Sequence, residues 1–72
     1  MTAAQIAALE AAGYQIREWV GSTETRYYLR TSGQDVGYLL DSDDGSTGTV
    51  KHVTRRAGYV SRILRSARTV KV

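Results

Sequence analysis

Cationic side chains are the residues of this 72-residue chain best suited to binding chemistry, and they are unevenly distributed. Residues 51–72 hold seven Lys or Arg and no acid, whereas residues 1–50 hold all seven acids and only three Arg. The two parts therefore carry formal charges of +7 and −4. A basic last quarter of this kind favours a polyanion or an acidic protein surface as the partner.

The cations of this basic part fall on one side of a predicted helix. Over 49–67, apolar residues recur at intervals of three and four, which is the spacing of a single α-helical stripe. Phosphate contact needs long cationic side chains presented along one line, and a helix edge provides that. The alternative is a solvated face that keeps the protein soluble. The flank away from the stripe collects Lys51, Arg55, Arg62 and Arg65, with Arg56 and Arg68 at its borders.

A second candidate surface is the outer face of a predicted antiparallel sheet. Alternation with period two predicts strands over about 14–20, 24–31 and 35–41. Aromatic rings among Arg on an open sheet suit base stacking and phosphate contact, and Trp, Tyr and Arg also dominate protein-binding hot spots. The alternative is that these residue types simply suit a half-exposed strand, with Trp19 under a loop. The predicted outer face carries Arg17, Trp19, Arg26, Tyr28, Arg30 and Leu39.

Metal binding and catalysis find little support. In the acidic loop 41–48, counting from Asp41 puts Gly45 fifth rather than sixth, so the calcium-loop pattern is not matched. We interpret this loop as a solvated turn whose Ser and Thr can cap the following helix. His52 has no Cys to activate, no phosphate-binding Gly loop is present, and the chain is too short to enclose a sizeable pocket. We therefore expect no enzyme, no metal and no cofactor.

One small α+β domain accounts for the order of the elements. Thr2 can cap a helix over 2–12 that stops at Gly13, the three strands follow, and the basic helix over about 49–67 comes last. This order predicts a two-layer α-β-β-β-α fold, in which both helices pack on one face of a three-stranded antiparallel meander. The predicted core contains Ile6, Leu9, Ile16, Val20, Tyr27, Leu29, Val36, Tyr38, Leu40, Val50, Val53, Val60, Ile63 and Leu64.

The end of the chain permits a competing interpretation. Residues 49–53 also have strand-like composition, and Gly58 weakens a helix by about 1 kcal/mol relative to Ala. A short fourth strand followed by a helix from Thr54 is therefore the alternative to a helix over 49–67. Residues 68–72 alternate once more, as a frayed end or a late edge strand would.

The order of elements resembles the outline of the double-stranded-RNA-binding domain. That family enters its last helix through a Gly-rich turn followed by Lys-Lys-x-Ala-Lys, whereas this chain has Gly48-Thr49-Val50-Lys51-His52-Val53. The resemblance therefore implies a shared topology, and topology by itself carries no function.

Composition also bounds the compartment and the oligomeric state. The chain has no Cys, its first residues lack the features of a secretory signal, and no segment approaches the roughly 18 apolar residues of a membrane span. We expect a cytoplasmic protein with no membrane contact. Either core packing or association with a second copy has to stabilise so small a domain, so a homodimer is possible.

Two functions are consistent with these features. The first is a non-enzymatic nucleic-acid-binding module of bacterial or phage type, which uses the basic helix and the sheet face. The alternative is a small phage or mobile-element protein that inhibits or adapts host machinery by occupying a protein or nucleoprotein surface. Steep salt dependence of binding is typical of the first, whereas capture of a host protein that survives nuclease treatment would favour the second.

Overall fold

A computed structural model describes residues 1–46 and 49–68. It has a three-stranded antiparallel sheet in the order β1-β2-β3 with two helices, so the predicted α+β fold is confirmed. The predicted late strand near the chain end falls largely on residues 69–72, which lie outside the described residues. The elements are α1 (Ala3–Ala11), β1 (Gln15–Val20), β2 (Thr25–Thr31), β3 (Gln34–Leu40) and α2 (Ala57–Arg68).

Helix α1 begins and ends where its capping residues require. The Thr2 hydroxyl accepts a hydrogen bond from the Gln5 backbone N–H at 3.1 Å, and the Gln5 side chain accepts from the Thr2 N–H at 3.0 Å. This reciprocal pair is a capping box, and it satisfies two N–H groups that a helix start leaves unpaired. Gly13 follows the helix with φ of 101°, a conformation that glycine adopts without steric cost.

A side chain inside the protein ties the two helices to the acidic loop. Gln5 is fully buried, and its Nε2 donates to the carbonyl oxygens of Asp44 at 2.9 Å and Leu64 at 3.1 Å. Leu64 lies within α2, and its carbonyl oxygen has two lone pairs, so it can accept from Gln5 as well as from within the helix. Gln5 therefore satisfies acceptors of both the loop and α2 from inside α1.

The β2–β3 connection and a bulge together set the faces of β3. Ser32 and Gly33 both have positive φ, as a two-residue hairpin turn of type I′ requires. The pairing then shifts between Leu29 and Arg30, which face Gly37 and Asp35, so Val36 is the extra residue of a β-bulge. A one-residue shift reverses which face each later side chain occupies.

The bulge overturns part of the predicted core. Leu39 was expected on the outer face, but it is fully buried opposite Tyr27. Tyr38 and Leu40 were expected in the core, but both are only half-buried, and Tyr38 pairs with the exposed Tyr28. The predictions for these three residues are wrong because strict alternation from Val36 takes no account of the extra residue.

Strand β1 lies at an open edge and contributes little to the core. The buried strand residues all belong to β2 and β3, and only Ile16 of β1 is half-buried. Val20, which was predicted in the core, is 69% exposed. Glu18 lies on the same side as Ile16 and Val20, and a charge at such a position discourages pairing of an open strand edge with another chain.

The segment before α2 bends repeatedly and is not helical, so the prediction of a helix over 49–67 is wrong for its first eight residues. Val53 forms an antiparallel bridge with Gly37, the Tyr38 N–H donates to the His52 carbonyl at 3.1 Å, and the Thr54 N–H donates to the Val36 carbonyl at 2.8 Å. The alternative of a short strand followed by a helix comes closer, although the pairing is one bridge and α2 begins at Ala57.

This segment still buries the apolar residues whose spacing predicted a helix. Val50 and Val53 are both buried, and the Val50 N–H donates to the buried Ser61 hydroxyl at 3.0 Å. Arg56 then adopts a positive φ of 52° directly before α2, which separates the segment from the helix. Since α2 begins so far along the chain, the loop over 41–46 does not cap it.

None of the helices formed by the described residues is long and apolar enough to cross a membrane.

One core joins the two layers. Ile6, Ile16 and Ile63 pack against the core while half-buried. The buried cluster consists of Leu9, Tyr14, Tyr27, Leu29, Val36, Leu39, Val50, Val53, Val60 and Leu64.

Candidate nucleic-acid interface

The outer face of the sheet is formed by the side chains that alternate with the core residues of β2. Tyr27 and Leu29 point to the core, so Arg26, Tyr28 and Arg30 project to the opposite side. Directly paired residues of antiparallel strands share a face. The outer face therefore also contains the partners of these three residues, which are Trp19, Arg17 and Gln15 on β1 and Leu40, Tyr38 and Asp35 on β3.

A row of flat side chains crosses this face from one edge to the other. The Arg26 guanidinium carbon lies 5.7 Å from the Trp19 ring centroid and 4.6 Å from that of Tyr38. Beyond the outer edge of β3, the His52 imidazole stacks on the Tyr38 ring, with centroids 4.6 Å apart and planes 8° from parallel. We call Trp19, Arg26, Tyr38 and His52 the cross-sheet row. It presents planar groups from β1, β2, β3 and the segment before α2.

Arg26 is held in place by its own neighbours. Its guanidinium donates to the Tyr28 hydroxyl at 3.3 Å and to the Glu24 carboxylate, with which it forms an ion pair. The hydrogen bond to Tyr28 and then the bond to Glu24 raise the pKa of Arg26 above its ordinary value. Because Glu24 neutralises it, Arg26 serves this face as a fixed planar group more than as a free cation.

Two aromatic rings of this face remain open to solvent beside a groove. Trp19 is 51% exposed and Tyr28 is 39% exposed. The groove is open to solvent and has a volume of about 500 Å³. Its polar and aromatic lining consists of Gln15, Arg17, Trp19, Tyr28, Arg30 and Asp35.

The cations beside the groove are accessible. Arg17 is exposed and has no hydrogen bond or ion pair with any residue in the described ranges. Arg30 is also exposed, and its Nη2 donates to the Gly33 carbonyl at 3.1 Å, which leaves the rest of the guanidinium open. Both groups can reach an anion that approaches the open rings.

The predicted cationic line along one helix does not form. Lys51 and Arg55 belong to the segment before α2, which runs along the outer edge of β3. Arg55 donates to Gln34, and Lys51 is exposed next to His52. Lys51 and Arg55 therefore lie at the rim of the sheet and not on α2. Arg62 and Arg65 are both exposed on α2, in the helical layer.

The two bordering cations contact other parts of the chain. Arg68 lies 3.7 Å from an Asp44 carboxylate oxygen, and the Arg56 guanidinium carbon lies 4.4 Å from the Tyr59 ring centroid. Among the described residues, the salt bridges of cationic side chains involve only Arg26 and Arg68. Most of the guanidinium groups are therefore not neutralised by the carboxylates of the described chain.

Sequence reasoning missed two members of this surface. Tyr38 was assigned to the core because the bulge was not foreseen, and His52 was assigned to a helix. Six residues, 31–36, separate Arg30 from Gly37, and their types gave no local sign that one of them is extra. Gly37 was a possible signal, because an isolated glycine within a strand pattern often marks a bulge or a close backbone approach.

The described residues contain no group of three or more His, Cys, Asp or Glu side chains arranged to hold a metal ion. Asp41 and Asp44 are engaged by neighbours, since Asp41 accepts from the Tyr27 hydroxyl at 2.9 Å and Asp44 from the Ser46 N–H at 2.9 Å. Comparison with family models, curated proteins and solved structures finds no match to this chain.

Proposed function

We propose that this protein binds nucleic acid through the outer face of its sheet. Bases stack on the exposed rings of Trp19 and Tyr28, a phosphate contacts the open guanidinium group of Arg17, and Arg30 lies beside the stacked bases. Lys51 and Arg55 extend the cationic rim on the β3 side. The single supporting observation is an uncovered sheet face on which solvent-exposed rings stand beside a guanidinium without a partner in the described chain.

Stacking is expected to contribute more to this binding than charge. Stacking of a base on an aromatic side chain is worth about 1–3 kcal/mol per base, and it tolerates different sequences. Each phosphate contact to a single strand adds about 0.7 to the slope of log K against log salt. With two open Arg at the groove, we expect a measurable but moderate salt dependence.

The intrinsic fluorescence of Trp19 tests the proposal directly, because it is the only Trp of the chain. Mixed-sequence oligonucleotides are titrated into the protein at several salt concentrations, and quenching reports occupancy of the outer face. Arg17→Gln and Arg62→Gln make a matched pair, since each removes one exposed guanidinium, from the sheet face and from α2 respectively.

The two variants have different expected outcomes. Arg17→Gln should weaken binding severalfold and reduce the salt slope by about 0.7, whereas Arg62→Gln should leave the affinity near physiological salt unchanged and weaken binding only slightly at low salt. Absence of quenching by DNA and RNA at low salt would remove the proposal. A larger loss for Arg62→Gln than for Arg17→Gln would move the interface to the helical layer.

A protein or nucleoprotein partner is the second candidate, and one observation favours it. Glu24 neutralises Arg26, and Asp35 adds a second carboxylate, so the outer face carries less positive charge than its three Arg suggest. Exposed Trp and Tyr with Arg are also typical of protein-binding hot spots. Such a partner would be a component of host machinery that the protein inhibits or adapts. Its capture would survive nuclease treatment and would be lost in Tyr28→Ala.

A further inference from the structure

We infer that the groove beside Trp19 and Tyr28 holds one unpaired base of a single strand, and that this base is guanine. The inference rests on the proposed function and names the ligand of the same site. It combines two observations, the exposed rings that line the groove and the presence of a donor and an acceptor side chain opposite each other within it.

Exposed ring faces select a single strand over a duplex. In a duplex the base faces are stacked on one another, so a protein reaches only base edges and the backbone. Trp19 and Tyr28 offer flat apolar surface on the outer face of a three-stranded sheet. Such surface is used only when bases are unstacked and laid on the protein.

The polar lining of the groove complements one base better than the others. Guanine presents acceptors at O6 and N7 and a donor at its exocyclic N2 amine, with the adjacent N1–H as a second donor. A guanidinium pairs with O6 and N7, and a carboxylate accepts from N1 and N2. Adenine, cytosine and thymine do not present both a paired acceptor edge and two adjacent donors.

The two-residue hairpin turn at Ser32 and Gly33 places these two groups together. Arg30 and Asp35 are directly paired across β2 and β3, and Cβ atoms of such pairs lie about 5 Å apart. They nevertheless form no ion pair, since Arg30 donates to the Gly33 carbonyl. The exposed Asp35 carboxylate has no hydrogen bond or ion pair with any residue of 1–46 or 49–68. A donor and an acceptor thus remain open at the same groove, while Arg17 is left to contact a phosphate.

Four oligonucleotides of seven nucleotides test the inference, each a thymidine run with guanine, adenine, cytosine or thymine at the centre. A single guanine avoids the self-association of guanine runs. Quenching of Trp19 fluorescence gives the dissociation constants. We expect the guanine oligonucleotide to bind roughly tenfold more tightly than the all-thymidine one, the factor that one good bidentate contact supplies.

Asp35→Asn should abolish this preference while retaining binding of the all-thymidine oligonucleotide, because the amide keeps the size of the side chain but can no longer accept from two donors. Glu10→Gln is the control, since it makes the same change on the exposed face of α1. Circular dichroism establishes that both variants are folded.

The failures are distinguishable. Equal binding of all four oligonucleotides, or a guanine preference that persists in Asp35→Asn, overturns the inference and leaves the proposed function standing. Binding of none of them, with no quenching by longer mixed-sequence strands, overturns both. Tighter binding of a duplex than of any single strand also overturns the inference.

Discussion

At Gly37, the place that a Cβ atom would occupy lies 2.0 Å from the carbonyl oxygen of His52 and 2.8 Å from the Cα of Val53. The backbone φ of 123° at this position is one that L side chains rarely adopt. Glycine therefore lets the segment before α2 run directly against β3. That contact also holds the His52 ring against Tyr38, so one residue without a side chain supports the end of the cross-sheet row.

Gly37→Ala should destabilise the protein by at least about 2 kcal/mol, because it adds backbone strain of about 1–3 kcal/mol to a steric clash with backbone atoms. Urea unfolding followed by circular dichroism measures the change. Gly58→Ala is the matched control: nothing lies within 4 Å of its added Cβ, and it lies in α2. It should be neutral or stabilising by up to about 1 kcal/mol. Equal stability of the two variants would contradict the contact between the segment and β3.

At the scale of elements, the acidic side chains of the loop over 41–46 are not free in solvent, because they accept hydrogen bonds from other parts of the chain. The Asp41 carboxylate accepts from the Met1 amino group at 3.0 Å and from the Tyr27 hydroxyl at 2.9 Å. Both hydrogen bonds lower the pKa of Asp41, and the bond from the Met1 amino group has the larger effect. The hydrogen bond between Tyr27 and Asp41 raises the pKa of Tyr27. Hydrogen bonds from Ser46 lower the pKa of Asp44, and the charge of Arg68 adds to this effect.

Because the pKa values of Asp41 and Asp44 are lowered in the folded protein, we expect the protein to lose stability in acid. An unfolded chain protonates Asp near its ordinary pKa of 3.8, whereas the folded protein holds both carboxylates ionised to lower pH. Their contribution is therefore fully present above that value, and it is lost as the pH falls through the folded pKa. The urea midpoint should stay level from pH 7 to about 5 and fall from about 4 to 2.

The double variant Asp41→Asn with Asp44→Asn provides the comparison for this prediction. Its midpoint at pH 7 should be lower than that of the wild type, because an amide cannot replace the charged acceptor, and its fall in acid should be smaller. An acid-induced fall as large as that of the wild type would assign the effect to other carboxylates.

At the scale of the whole molecule, cations occupy both layers. Arg17 and Arg30 belong to the outer sheet face, Lys51 and Arg55 to its rim, and Arg62 and Arg65 to the helical layer. The charges of a small protein act together on an approaching polyanion, although only those at the contact hold it once bound. The helical cations are therefore expected to affect how fast a strand arrives and not how long it stays.

Arg62→Gln with Arg65→Gln should lower the association rate for single-stranded oligonucleotides severalfold at low salt and leave the dissociation rate unchanged. Stopped-flow measurement of Trp19 fluorescence gives both rates. The difference from the wild type should disappear near physiological salt, where charges more than about 8 Å apart are screened. A faster dissociation in this variant would indicate that α2 contacts the bound strand.

The residues of each element were sufficient to predict α1, the three strands and the α+β class. Capping by Thr2, the stop at Gly13, period-two alternation and the Ser32-Gly33 turn are local properties of the chain. They act between neighbours in sequence, so they can be recognised without knowledge of the tertiary packing. The placement of Arg17, Trp19, Arg26, Tyr28 and Arg30 on one face followed from the same alternation, because β1 and β2 pair without a shift.

Only the tertiary structure decided the faces of β3 and the path of residues 49–56. A bulge of one residue exchanges Leu39 for Tyr38, and nothing within β3 reports it, because the shift is defined by pairing with β2. The spacing of Val50 and Val53 is that of a helix, yet both side chains are buried by a segment that bends between them. The open edge of β3 offers hydrogen bonds to this segment at His52 and Thr54, and that edge exists only once the sheet has formed.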